Sequence, residues 1–177
     1  MGGTKQGLVG LVGLGAAIAL CGMFVLARQS SSKAVAAQTP TTTPMKKAKG
    51  TTDPSGVMYF SRQETEEAFK ESLMLSDGVP EKNYRVAVYH RDKGGEVEVH
   101  KKDTDLFYIV EGSATFVTGG TIAGGKETAP DEIRAATMQG GVERNIGKGD
   151  VIVVPANVTH WYKDVHQPIT YFGVKVR

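Results

Sequence analysis

Glu96-Val-Glu98-Val-His100-Lys-Lys-Asp-Thr-Asp105-Leu-Phe-Tyr-Ile-Val-Glu-Gly112 is the segment from which the architecture of this chain can be worked out. Its first residues alternate polar and apolar, so in a strand Glu98 and His100 project from one face and Val97 and Val99 from the other. Asp105 then opens a second apolar run, Leu106 to Val110, that ends at Gly112. A hairpin of this shape points two carboxylates and an imidazole into one space, suited to a cation or a polar small molecule.

Outward from that hairpin the same period-two pattern recurs. Tyr84 to His90 and Ser113 to Thr118 flank it, and Val151–Val154, His160–Tyr162 and Ile169–Val176 follow. Val57–Phe60 reads as a short strand. Ser61-Arg-Gln-Glu64 has the form of a capping box, and Ala68, Phe69, Leu73 and Leu75 suggest one short helix stopped by Asp77-Gly78. Gly119 to Gly141 is Gly-rich and polar, and is expected to form a long loop with little strand character. Many short strands and a single helix mean an all-β antiparallel sandwich or small barrel.

The N-terminal third differs in kind. Leu8 to Ala27 is an uncharged run of twenty residues, long enough to span a bilayer. Residues 1–27 are therefore expected to be a signal peptide or a membrane anchor. Residues 28–55, with Ser30-Ser-Ser32, Thr39 to Pro44 and Lys46-Lys47-Ala-Lys49, form a disordered linker, and the domain occupies 56–177. The lysines after the apolar run favour the cytoplasmic side, whereas an apolar N-terminus followed by a polar spacer favours export. Export, with the domain outside the cytoplasm and tethered to the inner membrane if uncleaved, is the expectation.

Charge and cysteine content exclude several classes. Up to Ser55 there are six basic residues and one acidic; from Gly56 there are 15 basic and 18 acidic, a net of −3. The basic pI thus belongs to the tail, and no nucleic-acid partner is expected of the domain. Cys21 is the single cysteine, so the chain has neither an internal disulfide nor a cysteine metal cluster.

Two segments carry a specific resemblance. Glu98-x-His100-x4-Asp105-x6-Gly112 resembles the first motif of the cupin family, in which two histidines precede a glutamate and a glycine. Gly149-x5-Pro155-x-Asn157-x2-His160-x3-Asp164 is similar to the second, where Gly, Pro, Gly, His and Asn are usual. The departures are Asp92 for the leading glycine, Glu98 for the first histidine, Asp105 for the glutamate and Asp164 for the final asparagine. The resemblance implies a cupin-type jelly-roll barrel, with Glu98, His100, Asp105 and His160 as metal ligands. It also implies a homodimer.

Two imidazoles and two carboxylates suit Mn, Fe, Ni or Zn. In one reading the chain is an enzyme, an isomerase, lyase or dioxygenase, in which Glu98 moves a proton and Tyr162, on the strand face of His160, donates a hydrogen bond. In the other it is a non-catalytic module that binds or senses a small-molecule ligand. Plainer roles stand beside these. Glu98 pairs with Lys101 or Lys102, the two histidines line a metal-free barrel, Asp105 caps a turn, and His90 faces either cavity or water. Trp161 points away from the site, and no basic cluster lies within the motifs.

Overall fold

The computed structural model describes residues 44–79 and 81–177. The expected signal or anchor segment lies outside those residues, as does most of the expected linker. Among the described residues, no helix is long and apolar enough to cross a membrane. The chain runs β1 (Thr51–Thr52), β2 (Met58–Tyr59), α1 (Arg62–Glu71), β3 (Met74–Ser76), β4 (Tyr84–Arg91), β5 (Val97–His100) and β6 (Thr104–Thr118). It continues through β7 (Thr121–Ala123), β8 (Lys126–Ala129), β9 (Glu132–Ala135), β10 (Thr137–Gln139), β11 (Val142–Gly147), β12 (Val151–Val154) and β13 (His160–Val176).

The frame is the antiparallel pair β6 and β13, which run together from Thr104↔Val176 to Thr118↔His160. β11 and β12 line the other edge of β6, while β4 and β5 line the other edge of β13. β9 adds to β5, β8 to β9 and β3 to β4, so the whole forms one curled antiparallel sheet, a half-barrel. Short ribbons β1–β2 and β7–β10 stand apart from it. This is the all-β architecture that the alternating runs imply.

Alternation explains the core. Phe107 and Ile109 of β6 turn inward with Ala114 and Phe116, and meet Ile146, Val154, Tyr162, Ile169 and Tyr171. Leu106 and Tyr108, on the opposite face of the same strand, remain exposed. Gly112 marks the bend in β6 at a φ of +82°, where a Cβ would collide with the Pro168 carbonyl of β13. Pro168 lies where the β6–β13 register shifts, between Gln167 and Thr170, so its missing N–H leaves no regular rung broken.

Three local expectations need correction. The helix keeps its capping box, with Ser61 N–H donating to Glu64 at 2.7 Å and Glu64 N–H to the Ser61 hydroxyl at 3.2 Å. It ends at Glu71, however, because Ser72 takes a left-handed φ of 54° and its N–H reaches back to the carbonyls of Ala68 and Phe69. Leu73 and Leu75 therefore leave the helical stripe, and Leu75 lies in β3.

The stretch from Gly119 to Gly141 carries four strands, β7 to β10, rather than a loop. Within the expected linker, Met74 N–H donates to the Lys46 carbonyl at 2.9 Å, and Thr51–Thr52 pairs with Met58–Tyr59.

Gly112→Ala is expected to lower stability by about 1–3 kcal/mol from backbone strain alone, with further loss from the collision with Pro168. Urea unfolding measures it; an unchanged midpoint would remove Gly112 as the hinge of β6.

Candidate metal centre

β5 presents Glu98 and His100 to the inside of the half-barrel, and β6 places Asp105, its second residue, beside them. His160 opens β13 opposite Glu98. The turn before it closes the two motifs together. Asn157 holds a left-handed φ of 65°, a conformation asparagine adopts more readily than most residues, and its N–H donates to the His100 carbonyl at 2.8 Å. Gly149 N–H likewise reaches the Ile109 carbonyl at 2.8 Å.

The imidazoles of His100 and His160 consequently lie 5.3 Å apart between ring centres. His100 Nε2 is 3.4 Å from Glu98 Oε2 and 3.3 Å from Asp105 Oδ2. His160 Nε2 is 3.9 Å and 3.4 Å from the same two oxygens. Atoms bound to one ion at about 2.1 Å, at tetrahedral or octahedral angles, stand roughly 3.0–3.4 Å apart. Glu98, His100 and His160 form a group able to hold a metal ion. Asp105, expected as a fourth ligand, is outside that group, although its Oδ2 lies 3.3 and 3.4 Å from the two imidazoles.

Two buried atoms at this point, His100 Nε2 and Asp105 Oδ2, have no hydrogen-bond partner among the described residues, although buried polar groups ordinarily find one. A cation between them would satisfy both, so the donor set fits a divalent ion. The surrounding contacts orient the ligands. His160 Nδ1 lies 3.3 Å from the Val158 carbonyl, so donation there leaves the Nε2 lone pair facing the centre. Burial lowers the His160 pKa below its ordinary value, against the pull of Glu98 and Asp105, and the ring is held neutral.

Each carboxylate is held from behind by a cation. Arg134 donates to Glu98 Oε1 at 2.9 Å and to Glu132 Oε1 at 2.6 Å, and Lys175 donates to Asp105 Oδ1 at 2.6 Å. Burial works against the Glu98 charge, yet the close approach of His100 and the nearby Arg134 and Arg91 outweigh it. The pKa stays well below the usual carboxylate range. Such a group is a good anionic ligand and a weak base at neutral pH.

Tyr162 also faces the cavity, which measures about 110 Å³. Its buried hydroxyl has no hydrogen-bond partner among the described residues. Its ring stacks on Tyr171, which stacks on Tyr89, at centroid distances of 4.9 and 5.1 Å. Arg91 lies over the Tyr162 ring at 5.1 Å and donates to the Tyr171 hydroxyl at 2.7 Å. Burial first, then Tyr171, raises the Tyr162 pKa well above its ordinary value, against the opposing charge of Arg91. The phenol keeps its proton and can donate it in a hydrogen bond.

Several expectations about neighbours change. The cavity wall includes Arg85, Arg91, Arg134 and Lys175, so a basic cluster comes from outside the motifs, neither of which contains one. Lys101 and Lys102 do not pair with Glu98; they pair with Glu127 and Asp131. His90 pairs with Asp92 at 3.0 Å, and exposed His166 meets Thr115. Trp161 reaches the cavity wall and donates to the Gly95 carbonyl at 2.7 Å.

Arg134 and Glu132 are hidden in the sequence because β9 reads Glu-Ile-Arg-Ala, with charged side chains on the face that lines the site. The usual inference from polarity to solvent places that face outside. A signal exists for Arg85 and Arg91, which are six residues apart in an alternating strand and so share a face.

No family profile matches the chain, and no curated protein sequence matches it. Similar solved structures include a cupin protein from Bacteroides fragilis, 16% identical over 60% of this chain and 75% of the other, with a TM-score of 0.40. A conserved protein with a double-stranded β-helix domain from Klebsiella pneumoniae is 16% identical over 67% and 88%, with a TM-score of 0.45. A Thermotoga maritima structure described as a predicted oxalate decarboxylase is 16% identical over 60% and 76%, with a TM-score of 0.42. At these values it is the strand order and register of the chain itself that carry the architecture.

Arg134→Gln in the metal-free chain is expected to raise the Glu98 pKa, read by carboxyl NMR titration. Because the folded pKa of Glu98 lies below its ordinary 4.5, its ionisation stabilises the fold above that pH, and the gain is lost as pH falls through the folded value. The variant should therefore lose about 1–3 kcal/mol at pH 7, less than for a fully buried pair because Arg134 is 27% exposed. The gap from wild type should close as pH drops from the variant's Glu98 pKa through the wild-type one. A gap that widens on acidification contradicts the assignment.

Proposed function

We propose that the described domain is a cupin-type barrel that binds one divalent transition metal through Glu98, His100, Asp105 and His160. A small polar molecule is held in the cavity above the metal. The observation that carries this reading is the convergence of ligand atoms of Glu98, His100 and His160 on one point, with Asp105 Oδ2 3.3 and 3.4 Å from the two imidazoles and, like His100 Nε2, buried without a partner among the described residues. Two nitrogens with two carboxylate oxygens favour Mn²⁺ or Fe²⁺ within the set Mn, Fe, Ni and Zn.

Such an ion supplies Lewis acidity towards a bound carbonyl or hydroxyl oxygen. The chain supplies the rest. Arg134 keeps Glu98 ionised and aimed, and Lys175 holds Asp105 in place. Tyr162 offers a protonated hydroxyl to a polar atom of the ligand, and the stacked tyrosines with Phe107 form an apolar wall that limits water. This set suits proton-moving chemistry of the isomerase or lyase kind, with dioxygenase chemistry open to an iron form. The orphaned Tyr162 hydroxyl favours a bound polar molecule in either case, so a binding or sensing role without turnover keeps the same site.

Pairing of two copies also has a surface. Leu106, Tyr108, Val151 and Val153 are exposed on adjoining strands, and β12 pairs with β6 alone among the described strands. An unpaired apolar edge of this kind is a ready template for a second chain. We extend the proposal to a homodimer through that edge, and to a domain exported and tethered by the N-terminal segment when the segment is retained.

Metal analysis of the purified full chain is expected to give about one equivalent of Mn or Fe. His100→Ala and His160→Ala should each weaken metal binding by roughly 100-fold or more, since loss of supporting contacts alone costs 10- to 100-fold. Asp105→Asn separates a four-ligand from a three-ligand site by weakening it further than Lys175→Met does. Unchanged metal content in both histidine variants would sink the reading.

Val153→Asp should convert a dimer to a monomer in sedimentation; a wild-type monomer removes the pairing proposal.

A further inference from the structure

One cation beside the site has no counter-ion among the described residues. Arg85 of β4 stands directly opposite Lys175 of β13, and Lys175 stands opposite Asp105 of β6, so a row across three strands reads cation, cation, anion. Like charges directly opposite one another destabilise a sheet. Lys175 is relieved by Asp105 at 2.6 Å. Arg85 has no carboxylate partner among the described residues, although it is only partly exposed.

Its side chain lines the metal-site cavity and also a second cavity of about 190 Å³, whose wall carries Lys82, Lys175 and Arg177 against Asp77 and Asp103. Arg85 and Lys175 are common to both walls. In the inner cavity the four cations Arg85, Arg91, Arg134 and Lys175 balance the four carboxylates Glu96, Glu98, Asp105 and Glu132. A divalent ion at the histidines would leave that cavity with a surplus of two positive charges.

We propose that Arg85 is the anchor for a carboxylate group of the ligand, so that the molecule this barrel takes is a small organic acid. This rests on the reading of a polar ligand at the Glu98–His100–His160 centre and narrows it to a charge class. The planar guanidinium fork matches a carboxylate with two parallel hydrogen bonds. An incoming carboxylate would also relieve the repulsion between Arg85 and Lys175. Arg91 and Arg134 are already engaged, by Tyr171 and by Glu98 with Glu132, which leaves Arg85 as the free cation of the wall among the described residues.

The test is calorimetric titration of the full chain in detergent with malonate, using neutral malonamide and inorganic phosphate as comparison probes. Wild type should bind malonate about tenfold or more tightly than Arg85→Gln, the range for a charged hydrogen bond, with Arg85→Lys between them. Malonamide should bind weakly and without regard to residue 85. Metal content, measured on the same samples, should be equal in wild type and both Arg85 variants.

Absence of malonate binding by wild type, or equal affinity in Arg85→Gln, overturns the proposal. Phosphate bound more tightly than malonate overturns the carboxylate assignment. So does a lower melting temperature in Arg85→Gln without any change in malonate affinity, which would make Arg85 a packing residue. The metal reading fails separately, by metal content that ignores His100 and His160, while malonate binding that depends on Arg85 persists in the metal-free chain.

Discussion

Two carboxylates and two imidazoles packed against one another inside a β half-barrel impose the constraint that every other part of this domain must meet. An isolated carboxylate in that environment would be neutralised or would prevent folding, because desolvation of a charge costs far more than a typical contact returns. Each carboxylate here is answered from outside the cluster, Glu98 by Arg134 and Asp105 by Lys175. Those cations arrive on different strands, β9 and β13, so the sheet must close in one register for the cluster to survive. A slip of one residue on β9 would replace Arg134 and Glu132 with Ile133 and Ala135.

The arrangement also explains why the site keeps unsatisfied atoms while its periphery is saturated. Cations hold the outer oxygens, and the inner nitrogen and oxygen of His100 and Asp105 are left facing each other without partners. A fully satisfied polar network would stiffen a core, whereas a network with its centre left open is prepared for something to enter. The same logic extends to Tyr162, which lines the cavity from the end of a stack with Tyr171 and Tyr89 that phenylalanine could otherwise have filled. Charge then follows from placement, since a balanced wall becomes positive once a cation enters, and the cation-rich outer cavity continues that bias.

Much of the candidate site is legible in the amino-acid sequence. Glu98, His100, Asp105 and His160 occupy spacings that a strand period of two converts directly into a shared face, and all four come together within 4 Å contacts. The capping box at Ser61 is legible for the same reason, being a local consequence of residue type, whereas Gly112, read as the end of an apolar run, turns out to be a bend within the single strand β6. Leu73 and Leu75 mislead because apolar spacing suits a helix and a buried strand equally, and only the left-handed turn at Ser72 separates them. The long Gly-rich segment misleads more seriously, since β9 within it turns Glu132 and Arg134 toward the site.

Alternation, turn positions and the set of side chains able to meet an ion are written into the sequence, because they depend on neighbours a few residues away. Which cations back those side chains, and which one, Arg85, is left without an anion among the described residues, emerges only from the folded arrangement. Arg134 reaches Glu98 across 36 residues and Lys175 reaches Asp105 across 70. Pairings that distant are set by how β strands associate edge to edge, and hydrogen bonds between backbones carry no record of it in the local pattern of either strand.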